Sequence, residues 1–249
     1  MVAIPSFAVI IPMYNEEAGA EACVRAVCEE LRGLPNRTSL IAVEDGSSDH
    51  TKEILERLAS TEPRLLLAVH PHNQGYGAAL CTGSARSAEL GFDYAVFMDS
   101  DLTNNPADLK RFAEEMEKGS EVIKASRFVR GGAMIGVPWW RAIISRLGNG
   151  VASILFRVGV RDCTNGFRAV QTSILRQMRL IEPGFPIIME EFYQSTLLAK
   201  RYSEIPVILT NRAEGLRLTS FTYDITTIQK YLWYALKAFL RLPPKPQQA

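Results

Sequence analysis

Histidine and cysteine are scarce in this sequence. The three histidines, His50, His70 and His72, and the four cysteines, Cys23, Cys28, Cys81 and Cys163, form no C-x-x-C pair and no spaced ligand set. This argues against a zinc site and a disulfide framework; it suits a reducing compartment, with the thiols as small buried apolar residues. An excess of charge is missing too: 28 Lys and Arg stand against 27 Asp and Glu, a net +1. No global basic field exists to attract nucleic acid, so any hold on phosphate must come from a few placed arginines. Long apolar runs are absent as well. Nothing approaches the roughly 20 residues that span a bilayer, and Met1–Ser6 lacks the basic start of a secretory leader. The expected location is cytoplasmic, in solution or peripheral on the cytoplasmic face of a membrane.

What is present alternates between two periods. Apolar runs of strand length occur at Phe7–Ile11, Leu40–Val43, Leu65–Val69, Tyr94–Met98 and Val122–Ala125. Between them Ala20, Val24, Val27, Leu31 and Leu34, and later Leu109, Phe112 and Met116, recur at helical spacing. Asn105 before Pro106 reads as an N-cap with proline at the first helical position. The alternation predicts an α/β fold with a mainly parallel sheet covered by helices on both faces. Beyond Arg127 it breaks down into a loop at Arg130–Gly132, helices over Trp139–Phe156, Ile187–Lys200 and Ile225–Leu240, and a late strand at Ile205–Leu209. The 249 residues suit one domain over 1–220, followed over 221–249 by an amphipathic helix and a disordered proline-rich tail.

Sheets of this kind bind ligands beyond the carboxyl ends of their strands. The first strand runs out into Pro12-Met13-Tyr14-Asn15-Glu16, the second into Glu44-Asp45-Gly46-Ser47-Ser48-Asp49, the fourth into Asp99-Ser100-Asp101. Carboxylates gathered on one edge repel one another, and a cation would relieve the repulsion. Asp99 and Asp101 share a face if the chain there is extended, and two hard oxygen ligands suit Mg²⁺ or Mn²⁺ bridged to a diphosphate. The alternative is that both aspartates cap a turn. Asp45 is placed to accept from a base or ribose, or to form a turn with Gly46; Asp49 reads as an N-cap for the helix through Leu58.

In this order and spacing the segments resemble glycosyltransferase family 2. Ile10–Glu16 resembles its opening, Val43–Thr51 its V-D-D-G-S-x-D-x-T segment, Asn73–Ala79 its N-x-G-x-G-x-A helix start, and Asp99–Leu102 its D-x-D-L element. Ser126-Arg127, Asp162–Arg168 and Glu204–Val207 narrow the similarity to the polyprenyl-phosphate branch typified by dolichyl-phosphate mannose synthase. The resemblance covers roughly residues 7 to 220. It implies a GT-A fold and metal-dependent, inverting transfer of a hexose from a GDP- or UDP-sugar to a polyprenyl phosphate. It implies that Pro12, Tyr14, Glu16, Glu44, Asp45, Asp99 and Ser100 meet the donor and that Asp99 and Asp101 hold the metal. It places Asp162, Asn165, Arg168, Arg212 and Arg217 toward the acceptor, with Asp101, Arg127 and Arg168 as the catalytic set. Three departures stand out: Glu44 where the family usually has Asp, Thr103 where a Gln is frequent, and Leu216-Arg217-Leu218 in place of a G-E-S-K continuation.

Several residues keep two readings. Arg127, Arg168, Arg212 and Arg217 suit bidentate phosphate binding or ordinary ion pairs. Glu190 and Glu191 suit a general base for a sugar or other hydroxyl acceptor, or the favourable start of a helix; a lipid phosphate, already ionised, needs no base. Trp139, Trp140 and Arg141, and the final helix with its lysines, suit a membrane surface or packing onto the domain, directly or through a membrane-anchoring partner. A binding subunit without catalysis is the rival outside the enzyme class, and the intact D-x-D and G-F-R elements argue against it.

Overall fold

The computed structural model describes residues 4–210 and 225–244. Its first half follows the expected alternation: β1 (Phe7–Met13), α1 (Ala20–Arg32), β2 (Thr38–Glu44), α2 (Thr51–Ala59), β3 (Leu65–Val69), α3 (Tyr76–Glu89), β4 (Tyr94–Phe97), α4 (Leu109–Glu117) and β5 (Val122–Ser126). The second half comprises β6 (Ala133–Met134), α5 (Trp139–Phe156), β7 (Arg168–Gln171), α6 (Thr172–Leu175), α7 (Ile187–Leu198), β8 (Tyr202–Pro206), β9 (Ile208–Leu209) and α8 (Ile225–Phe239).

Seven strands form one sheet in the order β3-β2-β1-β4-β7-β5-β8. All its pairings are parallel except those of β7, which runs antiparallel to both β4 and β5. The continuous apolar character of β1 has a direct cause, because successive side chains enter opposite layers. Phe7, Val9, Ile11 and Met13 pack into the core under α1, α2 and α4. Ala8 and Ile10 pack into the core under α3 and α5–α8. Each large side chain so enclosed contributes about 2 kcal/mol.

Two expectations about strands need correction. β7 was not anticipated, being four residues long and headed by an arginine. The late strand is two strands. After Pro206, which has no N–H to give, Val207 donates to Ser126 O at 3.1 Å, and β9 then pairs in parallel with β6 in a separate small sheet. The expected cap is present: Asn105 accepts from Ala107 N–H at 3.0 Å and Pro106 opens a short 3₁₀ turn ahead of α4. The terminal helix α8 is integral, with Tyr234, Ala235 and Ala238 in the same core as α5 and α7.

Candidate active site

The strand order turns back on itself at β1, flanked by β2 on one side and β4 on the other. This is the switch point at which such sheets open a cleft at their carboxyl edge. The three acidic strand ends meet there, but their carboxylates do different work. Glu44 is 1% exposed, and its Oε1 accepts the Ser47 N–H at 2.6 Å. Asp45 is 3% exposed and accepts from the backbone of Gln74 and Gly75, each at 2.9 Å, beside His70 Nδ1 at 2.7 Å. Both were expected to meet the donor, Asp45 at the nucleoside; in the structure their carboxylates hold the loops that line the edge. Pro12 and Tyr14 remain half-buried, and Glu16 is buried with its N–H donating to Thr51 Oγ1 at 2.8 Å. Asp49 accepts from Thr51 N–H at 3.0 Å, a cap one residue ahead of α2's immediate N-cap, His50.

Asp99, Ser100 and Asp101 lie just past the end of β4. Ser100 and Asp101 are buried and Asp99 is more open. Asp101 Oδ1 accepts from both the N–H and the hydroxyl of Thr103, at 3.0 and 2.7 Å. Leu102 between them takes φ +55°, a left-handed conformation that a branched side chain adopts only when its surroundings enforce it. The turn-capping role read for Asp101 therefore exists, alongside any role toward a ligand. Asp99 Oδ1 accepts from the Tyr76 hydroxyl at 3.0 Å. On the other side is Gly166, where a Cβ would come within 3.3 Å of Asp99 Oδ2, so glycine leaves space at the carboxylate. Among the described residues no group of three or more His, Cys, Asp or Glu side chains is arranged to hold a metal ion by itself. Asp99 beside this space, with Asp101 two residues further on, offers hard oxygens of the kind a divalent cation takes together with diphosphate and water.

The segment Asp162–Arg168 departs most from expectation. Asp162 is fully enclosed, receiving Arg127 Nε and Nη2 at 2.7 and 2.8 Å and the Arg127 N–H at 3.0 Å. Its own N–H donates to Glu204 Oε1 at 3.0 Å. Arg168, 1% exposed, forms a fork to Glu191 with two 2.6 Å bonds, and its Nη1 donates to Gly166 O at 2.7 Å. Asp162 and Arg168, expected toward the acceptor, have their side chains bonded within the fold, where they hold the segment in place. Asn165 is buried, its Oδ1 accepting from Phe167 N–H at 3.0 Å and its carbonyl from Lys124 Nζ at 2.7 Å. Asn149 of α5 completes the frame by accepting from the N–H groups of Cys163 and Thr164. Glu191 is spent on Arg168. Glu190 accepts from Ile181 and Glu182 N–H, each at 2.9 Å, and burial raises its pKa. Glu190 lies in the first turn of α7, in line with one of its two readings, and Glu191 follows it; the partners of both are tertiary. Arg212 and Arg217 lie outside the described residues.

Lys124, Asn149 and Tyr76 escaped the sequence reading. The signal for Lys124 was a lone cation inside an apolar strand run. Burial, with Arg168 nearby, brings its pKa down to about 8. In the unfolded chain this lysine, titrating near 10.5, binds more protons than in the folded one between those values, so its contribution to stability rises with pH across that window. The four thiols, raised by burial, titrate in the opposite sense, so the measure is the difference between parent and Lys124→Met: followed by urea unfolding, it should shift in the parent's favour by about 2 kcal/mol from about pH 7.5 to about pH 10. A slope unchanged by the substitution would refute this.

Comparisons with known proteins identify the fold and the family. Polyprenol monophosphomannose synthase of Mycolicibacterium smegmatis is 28% identical over 214 residues, covering 83% of this chain and 78% of the relative. Undecaprenyl-phosphate mannosyltransferase of Micrococcus luteus is 30% identical over 209 residues, covering 83% and 84%. Among solved structures, glucosyl-3-phosphoglycerate synthase from Mycobacterium tuberculosis, in complex with Mn²⁺, UDP and phosphoglyceric acid, matches with a TM-score of 0.63 at 18% identity. That match covers 95% of this chain and 78% of that one, a likeness of fold. The architecture is the GT-A fold, and the model of glycosyl transferase family 2 matches residues 8–179. The chain is a glycosyltransferase and belongs to family 2.

Proposed function

We propose that this glycosyltransferase moves a hexose, mannose by analogy with its named relatives, from a nucleotide diphosphate sugar to a polyprenyl phosphate, with inversion at the anomeric carbon. The observation that carries the acceptor class is the fate of Glu190 and Glu191. A hydroxyl acceptor needs a base at the attacking oxygen. Both carboxylates are buried and bonded within the fold, which favours an acceptor that is already ionised. Asp99 and Asp101 would hold Mg²⁺ or Mn²⁺, which when bound offsets the charge growing on the departing diphosphate. The half-buried Pro12 and Tyr14 line the edge where the nucleoside would lie, and Arg127, still partly exposed, is the candidate for the acceptor phosphate.

A polyprenyl chain is insoluble, so the enzyme must meet its acceptor at a bilayer surface. No described helix is long and apolar enough to cross a membrane. Two helices nevertheless present large apolar side chains outward. On α5 these include Trp139, 76% exposed, with Trp140, Leu147 and Ile154; on α8 they include Ile225, Leu232 and Trp233. Arg141 lies over Trp140 and Arg157 over Phe239, a pairing of guanidinium and ring suited to headgroup depth. Trp139→Ala with Trp140→Ala should weaken binding to anionic liposomes at least about tenfold. Thermal stability and transfer to a short water-soluble prenyl phosphate should hardly change, because these rings are exposed. Equal loss of both transfer activities would return the tryptophans to a structural role.

The activity itself is tested by incubating the protein and Mn²⁺ with GDP-mannose or UDP-glucose and either undecaprenyl phosphate or the dephosphorylated polyprenol. Sugar should pass into the organic phase with the phosphate alone, as an acid-labile ester. Transfer to polyprenol or to a free saccharide instead would overturn the acceptor assignment.

A further inference from the structure

Tyr76 occupies the variable position of Asn73-Gln74-Gly75-Tyr76-Gly77, and no role followed from that motif. In the structure its hydroxyl donates to Asp99 Oδ1 at 3.0 Å. Its ring is stacked on Phe185, with centroids 4.5 Å apart and planes 24° from parallel. Phe185 belongs to residues 181–185, which run as a strap across the start of α3. The neighbouring Gly77 donates its N–H to Pro183 O at 2.7 Å, and a Cβ on Gly77 would fall 2.0 Å from Glu182 O, so only glycine admits this approach.

The strap is itself held at several points. Glu190 accepts the N–H groups of Ile181 and Glu182. From α8, Tyr234 donates to Glu182 Oε1 at 2.9 Å and Lys230 Nζ to Oε2 at 2.6 Å. An exposed tyrosine visits several rotamers, and a hydrogen bond from it would fix little. Stacked on an anchored ring, this one has a single place for its hydroxyl, and the carboxylate it meets is thereby oriented.

We propose that Tyr76 is a positioning residue. Its hydroxyl sets the carboxylate of Asp99 for a divalent cation, and the 181–185 strap sets Tyr76. The proposal rests on the reading of Asp99 as a metal ligand. Partners of this kind, one bond removed from the ion, usually change metal affinity about 10- to 100-fold when lost.

The test is a Mn²⁺ titration followed by electron paramagnetic resonance, with GDP and UDP each present, beside thermal melting of the metal-free protein. The unaltered protein comes first. If neither nucleotide tightens its hold on Mn²⁺, the metal reading of Asp99 fails and takes this proposal with it. If one does, Tyr76→Phe, which keeps the stacked ring and removes only the hydroxyl, should weaken Mn²⁺ binding at least about tenfold while the metal-free melting temperature stays within about two degrees. Phe185→Leu, which keeps the hydroxyl but removes the stack, should weaken it about threefold. Parental Mn²⁺ affinity in Tyr76→Phe overturns the proposal with the metal reading intact. A melting temperature that falls in step with affinity assigns Tyr76 to the fold alone, and parental affinity in Phe185→Leu removes the strap from the account.

Discussion

Asp101→Asn is expected to lower transfer about a thousandfold or more and to leave the fold standing. The amide keeps an Oδ1, so it still accepts from the N–H and hydroxyl of Thr103 and still holds Leu102 in its left-handed turn. What it loses is the negative charge. A metal ion at a departing diphosphate supplies several kcal/mol of charge stabilisation, and losing about 4 kcal/mol is a factor of about 10³ in rate. Asp101→Ala separates the two roles. It forfeits charge and turn together, and should show the same loss of transfer with a further 1–2 kcal/mol lost from stability. Rates measured across a Mn²⁺ series, with a melting curve for each variant, check both statements. An Asn variant that turns over like its parent would exclude the metal assignment.

The contrast between Asp101 and Arg168 shows how far this sequence can be read. β1 was legible because a strand buried on both faces must be apolar throughout, and Phe7–Met13 is. α5 was legible end to end because Pro138 opens it and the apolar positions recur to Phe156. Gly148 and Gly150 did not break it, since both face open space while Asn149 between them holds the 163–164 backbone. The place of Asp99 and Asp101 past a strand end was legible, and a strand end at a switch point is what makes them candidates for a ligand. What could not be read is which charged groups meet. Tyr76 and Asp99 are 23 residues apart, as are Arg168 and Glu191, and nothing local announces either pair. Asp45 illustrates the same limit: its position at a strand end was right, but its carboxylate turns back to the loop at Gln74 and Gly75. An arginine in a G-F-R motif reads equally as a phosphate ligand or a buried ion pair, and only the packing of β7 beside α7 decides between them.

That decision makes Arg168→Ala a stability experiment before it is a catalytic one. The guanidinium is enclosed over the Phe97 ring, with its centre 4.4 Å from the centroid, and gives two bonds to Glu191 and one to Gly166 O. Truncation leaves the Glu191 carboxylate, 2% exposed, without its counter-charge in a medium that solvates it poorly. Breaking one side of such a pair typically costs about 3–5 kcal/mol, a large share of the 5–15 kcal/mol that holds a domain together. It also frees Gly166 beside Asp99, so residual folded protein should bind metal and donor less well. Removing both charges is a different perturbation. Arg168→Met with Glu191→Leu puts apolar groups of similar size in the space and should recover most of the loss, short of about 1 kcal/mol for the Gly166 carbonyl left unbonded. Urea unfolding of the parent, the single variant and the double variant measures each difference. If instead Arg168→Ala unfolds within about 1 kcal/mol of the parent and loses only its use of polyprenyl phosphate, the ion pair is not holding this segment, and Arg168 serves the acceptor as its motif first implied.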